Sequence, residues 1–87
     1  MLFLISSAPD TKEFKTAYKL AKEMKADICL LQNAVYASRK TNDNNIYVLR
    51  DEIQLRGIGE NEISGKLIDY GELIDLMTGT DKVAGMF

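Results

Sequence analysis

The stretch DICLLQNAVYA, Asp27 to Ala37, indicates the architecture most directly, because it contains a short apolar run followed by two residues with amide side chains. The run Ile28 to Leu31 has neither the period of a helix nor the alternation of a half-exposed strand. Such a run is typical of a strand buried on both faces, as a parallel sheet requires. The sequence therefore predicts a strand over Asp27–Gln32, followed by a short helix over Asn33–Arg39.

Three further apolar runs predict three more strands: Leu2–Ile5, Ile46–Leu49 and Lys66–Ile68. Between them, apolar residues recur at three and four positions, which is typical of helices with one buried face. Helices are predicted over Thr11–Lys25, over Glu52–Arg56 before the natural stop Gly57, and around Leu73–Met77 before Gly79. Strands alternating with helices predict an α/β fold, a small three-layer sandwich around a mostly parallel four-stranded sheet.

Acidic residues at the predicted helix starts are expected to act as caps. Asp10 is the expected cap of the first helix, with Glu13 three residues later. Asp51 is the expected cap of the third helix, and Asp69 with Glu72 forms the expected pair at the last one. The loop Thr41–Asn45 is polar and rich in turn residues, so it is the segment expected to be flexible.

The 87 residues are enough for a single domain, 1–87, whose small core would gain stability from assembly with other subunits. The chain carries 11 basic and 13 acidic residues, which argues against a protein that coats nucleic acid. The lysines between Lys12 and Lys25 therefore favour a solvated helix flank over an RNA-docking face.

The apolar start is too short for a signal peptide or a membrane span, so a cytoplasmic protein without membrane contact is expected.

The chain contains one Cys and no His, which leaves no internal disulfide and no usual metal-ligand set. No metal and no cofactor is expected. Cys29 lies in the middle of a predicted buried strand, where apolar surroundings raise the pKa of a thiol and block access. The position favours a packed core cysteine over a nucleophile or persulfide carrier.

Polar residues at the ends of two predicted strands form the candidate interface. Gln32 and Asn33 lie at the carboxyl end of the second strand, where they can bind a ligand or partner, or satisfy free amide groups at a helix end. Tyr36 lies on the short helix beyond them, and Arg50 and Asp51 follow the third strand. The carboxyl ends of parallel strands lie on one side of a sheet, so these residues are expected to share one surface.

Four stretches, in this order, resemble the DsrH/TusB family of sulfur-relay proteins. They are MLFLISSAP (1–9), LLQNAVYA (30–37), IYVLRDEIQLRGI (46–58) and LIDYGELIDLM (67–77), and together they span nearly the whole chain. The resemblance implies a DsrE/F/H-like fold. It also implies a complex with DsrE-like and DsrF-like sibling subunits, which passes sulfane sulfur between protein cysteines. A sulfur-carrier protein is a further possible partner that the resemblance implies.

In bacteria that relay feeds thiolation of the tRNA wobble uridine, and a related complex serves dissimilatory sulfur metabolism. The family's persulfide cysteine in the tRNA relay lies on the DsrE-like subunit. Cys29 does not lie where a reactive family cysteine is expected, so the resemblance identifies no catalytic residue in this chain. The family's tail often ends in Trp, and here Met86 and Phe87 are expected to pack against a partner or the core.

These observations favour a non-catalytic subunit that shapes the interface around a partner's persulfide cysteine, not an enzyme acting alone. One rival hypothesis is that Cys29 itself carries sulfur, which the reactivity of the native thiol would reveal. Another is a free-standing homo-oligomeric module that binds a small anion or nucleotide at strand ends and helix amino termini. Direct nucleic-acid binding is not expected.

Overall fold

The structure is a computed structural model that describes residues 1–39 and 45–85. Positions 41–44 of the predicted flexible loop, and the tail residues Met86 and Phe87, lie outside the described residues. The elements, in chain order, are β1 (Leu2–Ile5), α1 (Lys12–Glu23), β2 (Asp27–Leu30), a 3₁₀ helix (Gln32–Arg39), β3 (Ile46–Leu49), α2 (Arg50–Leu55), a short 3₁₀ turn (Glu60–Glu62), β4 (Lys66–Ile68), α3 (Tyr70–Gly79) and β5 (Val83–Ala84).

The strands form one parallel sheet in the order β4-β3-β2-β1-β5, which confirms the predicted α/β class and parallel pairing. The predicted strand count of four is wrong, because Val83 and Ala84 pair with Leu2 and Phe3 and add a fifth strand. Two residues are too few to show a strand period in the sequence. At Gly85 a Cβ atom would lie 2.7 Å from the Cβ of Leu4, so glycine permits the close approach that completes this edge.

The helices cover the two faces of the sheet unequally. The chain steps in one direction from β1 to β4, so right-handed crossovers place α1, the 3₁₀ helix and α2 on one face. The return from β4 to β5 crosses the sheet in the other direction and places α3 on the opposite face. Alternation along β1 agrees with this arrangement, since Phe3 and Ile5 pack with α1 while Leu2 and Leu4 pack with α3.

The first helix begins one residue later than predicted. Thr11, not Asp10, is the cap of α1, and its Oγ1 accepts a hydrogen bond from the Phe14 amide at 3.2 Å. The hydroxyl donates in turn to the carbonyl oxygen of Ala8 at 2.7 Å. The turn from Ala8 to Thr11 therefore sets the start of α1, and the threonine satisfies an amide that would otherwise lack a partner.

Of the caps predicted for α2 and α3, the first is wrong and the second is confirmed. Asp51 does not cap α2, because α2 follows β3 with no intervening loop and its cap position is Leu49, which provides no side-chain bond. The pair at α3 is confirmed. The amide of Glu72 donates to Asp69 Oδ1 at 2.7 Å, and the amide of Asp69 donates to Glu72 Oε1 at 3.2 Å. This reciprocal capping box satisfies two backbone amides at the start of α3.

Candidate functional site

The candidate site lies at the carboxyl edge of the sheet, where three strands lead directly into helices. The 3₁₀ helix begins two residues after β2, α2 begins immediately after β3, and α3 begins two residues after β4. The first residues of these helices therefore stand close to the strand ends. This is the edge at which open parallel sheets bind ligands and partners.

A left-handed backbone conformation turns the chain at the end of β2. Gln32 has a φ of 46°, in a region that few residues other than glycine adopt. The preceding amide, Leu31 N, donates to the Ile5 carbonyl at 2.9 Å, and the Ala34 amide donates to the Leu31 carbonyl at 2.9 Å. The turn leaves the side chains of Gln32 and Asn33 exposed at the edge.

Arg56, directly after α2, connects this turn to the neighbouring helix. Its Nε and Nη2 lie 3.4 and 3.2 Å from Asn33 Oδ1. Its Nη1 pairs with the carboxylate of Glu52 at 2.5 Å and lies 3.3 Å from the Glu52 carbonyl oxygen. Both charged side chains are largely buried, at 18% and 15% exposure, so this ion pair is shielded from solvent more than a surface pair is.

Tyr70 extends the network to α3. Its hydroxyl donates to Glu52 Oε1 at 3.4 Å, so one line of polar contacts runs through Asn33, Arg56, Glu52 and Tyr70. Loss of hydration and the negative charge of Glu52 both raise the pKa of the Tyr70 phenol. The phenol therefore remains a neutral hydrogen-bond donor at physiological pH. We call Asn33, Arg56, Glu52 and Tyr70 the edge network.

Of the five residues predicted to form the interface, Asn33 belongs to the edge network. Tyr36 lies on the 3₁₀ helix with 43% of its surface exposed, and Asp51 is exposed in the first turn of α2. Arg50 reaches in another direction, with Nε 3.9 Å from Glu60 Oε1 in the short 3₁₀ turn. An interface role for all five residues, Gln32 included, remains a prediction.

Sequence reasoning missed the importance of Glu52 and Arg56. Their spacing of four residues on one helix is a local signal for an ion pair, and it was available in the sequence. Their bonds to Asn33 and Tyr70 join residues 23 and 18 positions apart. Only the arrangement of β2, α2 and α3 around one edge brings these residues together.

Cys29 is fully buried on the face of the sheet that α3 covers. In the sheet register it stands between Leu4 and Tyr47. Burial raises the pKa of the thiol to about 12, so it is protonated at physiological pH. Since the thiolate is the nucleophile, both the protonation state and the position of Cys29 disfavour sulfur chemistry at this residue.

A depression of about 430 Å³ lies under α3, away from the edge network. It is bordered by the first residues of three strands, Leu2, Asp27 and Lys66, together with residues of α3. It therefore opens toward the amino edge of the sheet.

Within residues 1–39 and 45–85, no group of three potential ligands is placed to hold a metal ion. None of the helices in the same ranges is long and apolar enough to cross a membrane.

Comparisons with known proteins support one family. The model of the family described as "DsrH like protein" matches residues 6–83, nearly the whole chain. The solution NMR structure of protein Tm0979 from Thermotoga maritima is similar, with a TM-score of 0.66 and 24% sequence identity. The alignment covers 94% of this chain and 97% of Tm0979, and at this identity it shows a shared fold. Comparison with curated proteins found no match. The family match over residues 6–83 shows that this chain belongs to the DsrH-like family, and membership suggests, at family level, a subunit of a sulfur relay.

Proposed function

We propose that this chain is a non-catalytic subunit of a sulfur-relay complex, which it forms with DsrE-like and DsrF-like siblings in the cytoplasm. The complex would support thiolation of the tRNA wobble uridine or related sulfur metabolism. The observation that carries the proposal is the burial of Cys29, the only thiol of a chain that belongs to a family of sulfur-relay subunits.

The chemistry of the relay explains why burial matters. A thiolate attacks the outer sulfur of a persulfide, forms a new sulfur–sulfur bond, and the donor cysteine leaves as a thiolate. The attacking sulfur must be deprotonated and accessible. Cys29 has a pKa of about 12 and no exposed surface, so the transferred sulfur would reside on a cysteine of a sibling subunit.

The carboxyl edge offers the surface on which such a sibling would dock. The edge network fixes the relative positions of the 3₁₀ helix, α2 and α3, which is the kind of rigid support that an interface requires. Gln32, Tyr36 and Asp51 project from this framework with exposed side chains. An exposed tyrosine among polar groups is typical of residues that anchor protein interfaces.

Native mass spectrometry of the chain co-expressed with DsrE-like and DsrF-like subunits tests this function. We expect a complex that contains all three subunits. The double variant Tyr36→Ser/Asp51→Lys should weaken its assembly by about tenfold or more, as loss of an anchoring residue does. Lys82→Glu, a charge reversal just before β5 at the other edge, is the matched control and should assemble normally. Failure of the wild-type chain to bind either sibling would contradict the proposal.

A further inference from the structure

One side of α1 carries a line of lysines beside a shallow groove. Lys12, Lys15, Lys19 and Lys22 are exposed and repeat at intervals of three and four residues, so they lie along one side of the helix. With a rise of ~1.5 Å per residue, the line extends about 15 Å. The groove has a volume of about 510 Å³ and is lined by Phe14, Lys15, Tyr18, Lys19, Lys22 and Glu23. We call this surface the α1 groove.

The tyrosine ring of the groove has neighbours on both of its faces. It stacks on the ring of Phe14, with centroids 5.5 Å apart and an angle of 16° between the ring planes. The Lys22 ammonium lies over the Tyr18 ring, 5.3 Å from its centroid. Phe14 is one turn before Tyr18 and Lys22 is one turn after it, so the two cover opposite faces of the ring. The groove therefore offers ring edges and lysine stems as its apolar surface.

This ring arrangement distinguishes between two kinds of anionic partner. Single-stranded nucleic acid binds through phosphate contacts and through bases that stack on open aromatic faces. The described residues that line the α1 groove leave no open face on Tyr18 for such a base. An aliphatic side chain needs no stacking face, because contact with ring edges and lysine stems is enough to bury it. The groove therefore favours a protein partner that has both carboxylates and apolar side chains.

Charge complementarity specifies the form of this partner. Among the described residues that line the groove, three lysines stand against one carboxylate, that of Glu23. A helix with carboxylates at intervals of three and four residues matches the spacing of the lysines, and apolar residues beside those carboxylates fill the groove. We propose that the α1 groove binds an acidic amphipathic helix of a partner protein. None of the lining residues belongs to the edge network, so this contact does not depend on the proposed function.

Fluorescence anisotropy with a labelled synthetic peptide tests this contact. The probe is a helical peptide that presents glutamates along one side and leucines beside them. We expect the wild-type chain to bind this peptide at low ionic strength and to release it as salt is added, because ion pairs are screened. Replacement of the glutamates by glutamine should weaken binding by about tenfold or more, and replacement of the leucines by serine should do the same.

Two double variants with the same change in net charge locate the binding surface. Lys15→Glu/Lys19→Glu reverses two charges in the groove and should weaken binding of the acidic peptide by about tenfold or more. Lys66→Glu/Lys82→Glu is the matched control, since it reverses two exposed lysines outside α1. It should retain binding within about threefold of the wild type. Circular dichroism of both variants distinguishes loss of contact from loss of folding.

Three results would overturn the proposal. The first is a wild-type chain that does not bind the acidic peptide, or that loses binding equally in the two double variants. The second is undiminished binding of the peptide with serine in place of leucine, which would show attraction by charge alone. The third is tighter binding of single-stranded oligouridylate than of the peptide, which would identify an RNA surface. No sibling subunit enters the readout, so each of these results leaves the proposed function unaffected.

Discussion

Arg56 reaches across the carboxyl edge of the sheet to Asn33, with Nε and Nη2 at 3.4 and 3.2 Å from the amide oxygen. The same guanidinium pairs with Glu52, so a single side chain connects the end of β2 with the body of α2. A largely buried cation with two acceptors stabilises more than an exposed one, because its removal leaves Glu52 without its charge partner.

Replacement of Arg56 is therefore expected to cost more than replacement of Arg50. Arg56→Met should lower the free energy of unfolding by about 1–2 kcal/mol, since it removes charged hydrogen bonds at a largely buried site. Arg50→Met is the matched control. Arg50 lies 3.9 Å from Glu60 with both groups well exposed, so its loss should cost less than about 0.5 kcal/mol. Urea unfolding of both variants measures the difference, and equal losses would show that the edge network does not stabilise the fold.

The Cys29 thiol should react only when the protein opens. Burial raises the pKa of the Cys29 thiol to about 12. The thiol of the folded protein should therefore react with an aromatic disulfide reagent far more slowly than the thiol of the unfolded chain. The rate should increase with denaturant in parallel with unfolding. Rapid, stoichiometric reaction of the native protein at neutral pH would show that the thiol is accessible and would favour the carrier hypothesis.

The same residue makes stability depend on pH in the alkaline range. The folded pKa is raised above the ordinary thiol value, so the contribution of the neutral thiol is fully present below that ordinary value. It is lost as the pH rises from about 9 toward 12. The Cys29→Ala variant lacks this group and should lose less stability than the wild type over the same interval. Thermal unfolding across the range provides the measurement, and identical pH profiles would contradict the assigned burial.

The capping box of α3 should contribute measurably to stability. Asp69→Ala removes the acceptor for the Glu72 amide and should cost about 1 kcal/mol, as loss of an N-terminal cap does. Asp75→Ala, in the same helix but exposed and beyond the first turn, should change stability by less than about 0.5 kcal/mol. Urea unfolding compares the two. If both variants cost the same, the cap does not hold the helix start.

Gly57 should resist substitution because of its backbone conformation and not because of crowding. It has a φ of 70°, and a Cβ there would meet nothing within 4 Å. Gly57→Ala should therefore cost about 1–2 kcal/mol from the left-handed conformation alone. Gly79→Ala is the control, since its Cβ also meets nothing within 4 Å and its φ lies outside the left-handed region. That change should be neutral or slightly stabilising at the end of a helix. Urea unfolding of both variants measures the difference, and a Gly57→Ala variant as stable as Gly79→Ala would contradict the assigned backbone conformation.

The fold was largely predictable from local signals, and the exceptions have physical causes. The four longer strands have apolar runs, and the Asp69–Glu72 pair is readable from its spacing. β5 escaped prediction because it has two residues and pairs with β1, distant in sequence. Asp51 resembled a cap, yet β3 continues directly into α2 and leaves Leu49 in the cap position.

The candidate site was less predictable because it depends on contacts between distant parts of the chain. Asn33 was identified from its place after a buried strand, a local feature. Its bond to Arg56 depends on how α2 returns over the sheet. The periodicity of apolar residues in the sequence does not indicate that position. The strained φ of Gln32 was similarly invisible, since glutamine carries no preference for the left-handed region.

The central claim is that this chain supports sulfur transfer without carrying the sulfur. The most direct test is reconstitution of the relay with the two sibling subunits and a labelled sulfur donor, using wild-type chain and Cys29→Ala in parallel. Mass spectrometry then locates the persulfide on each subunit. The claim predicts label on a sibling cysteine, none on Cys29, and undiminished transfer in the variant complex. Label on Cys29, or loss of transfer from a fully assembled Cys29→Ala complex, would contradict it.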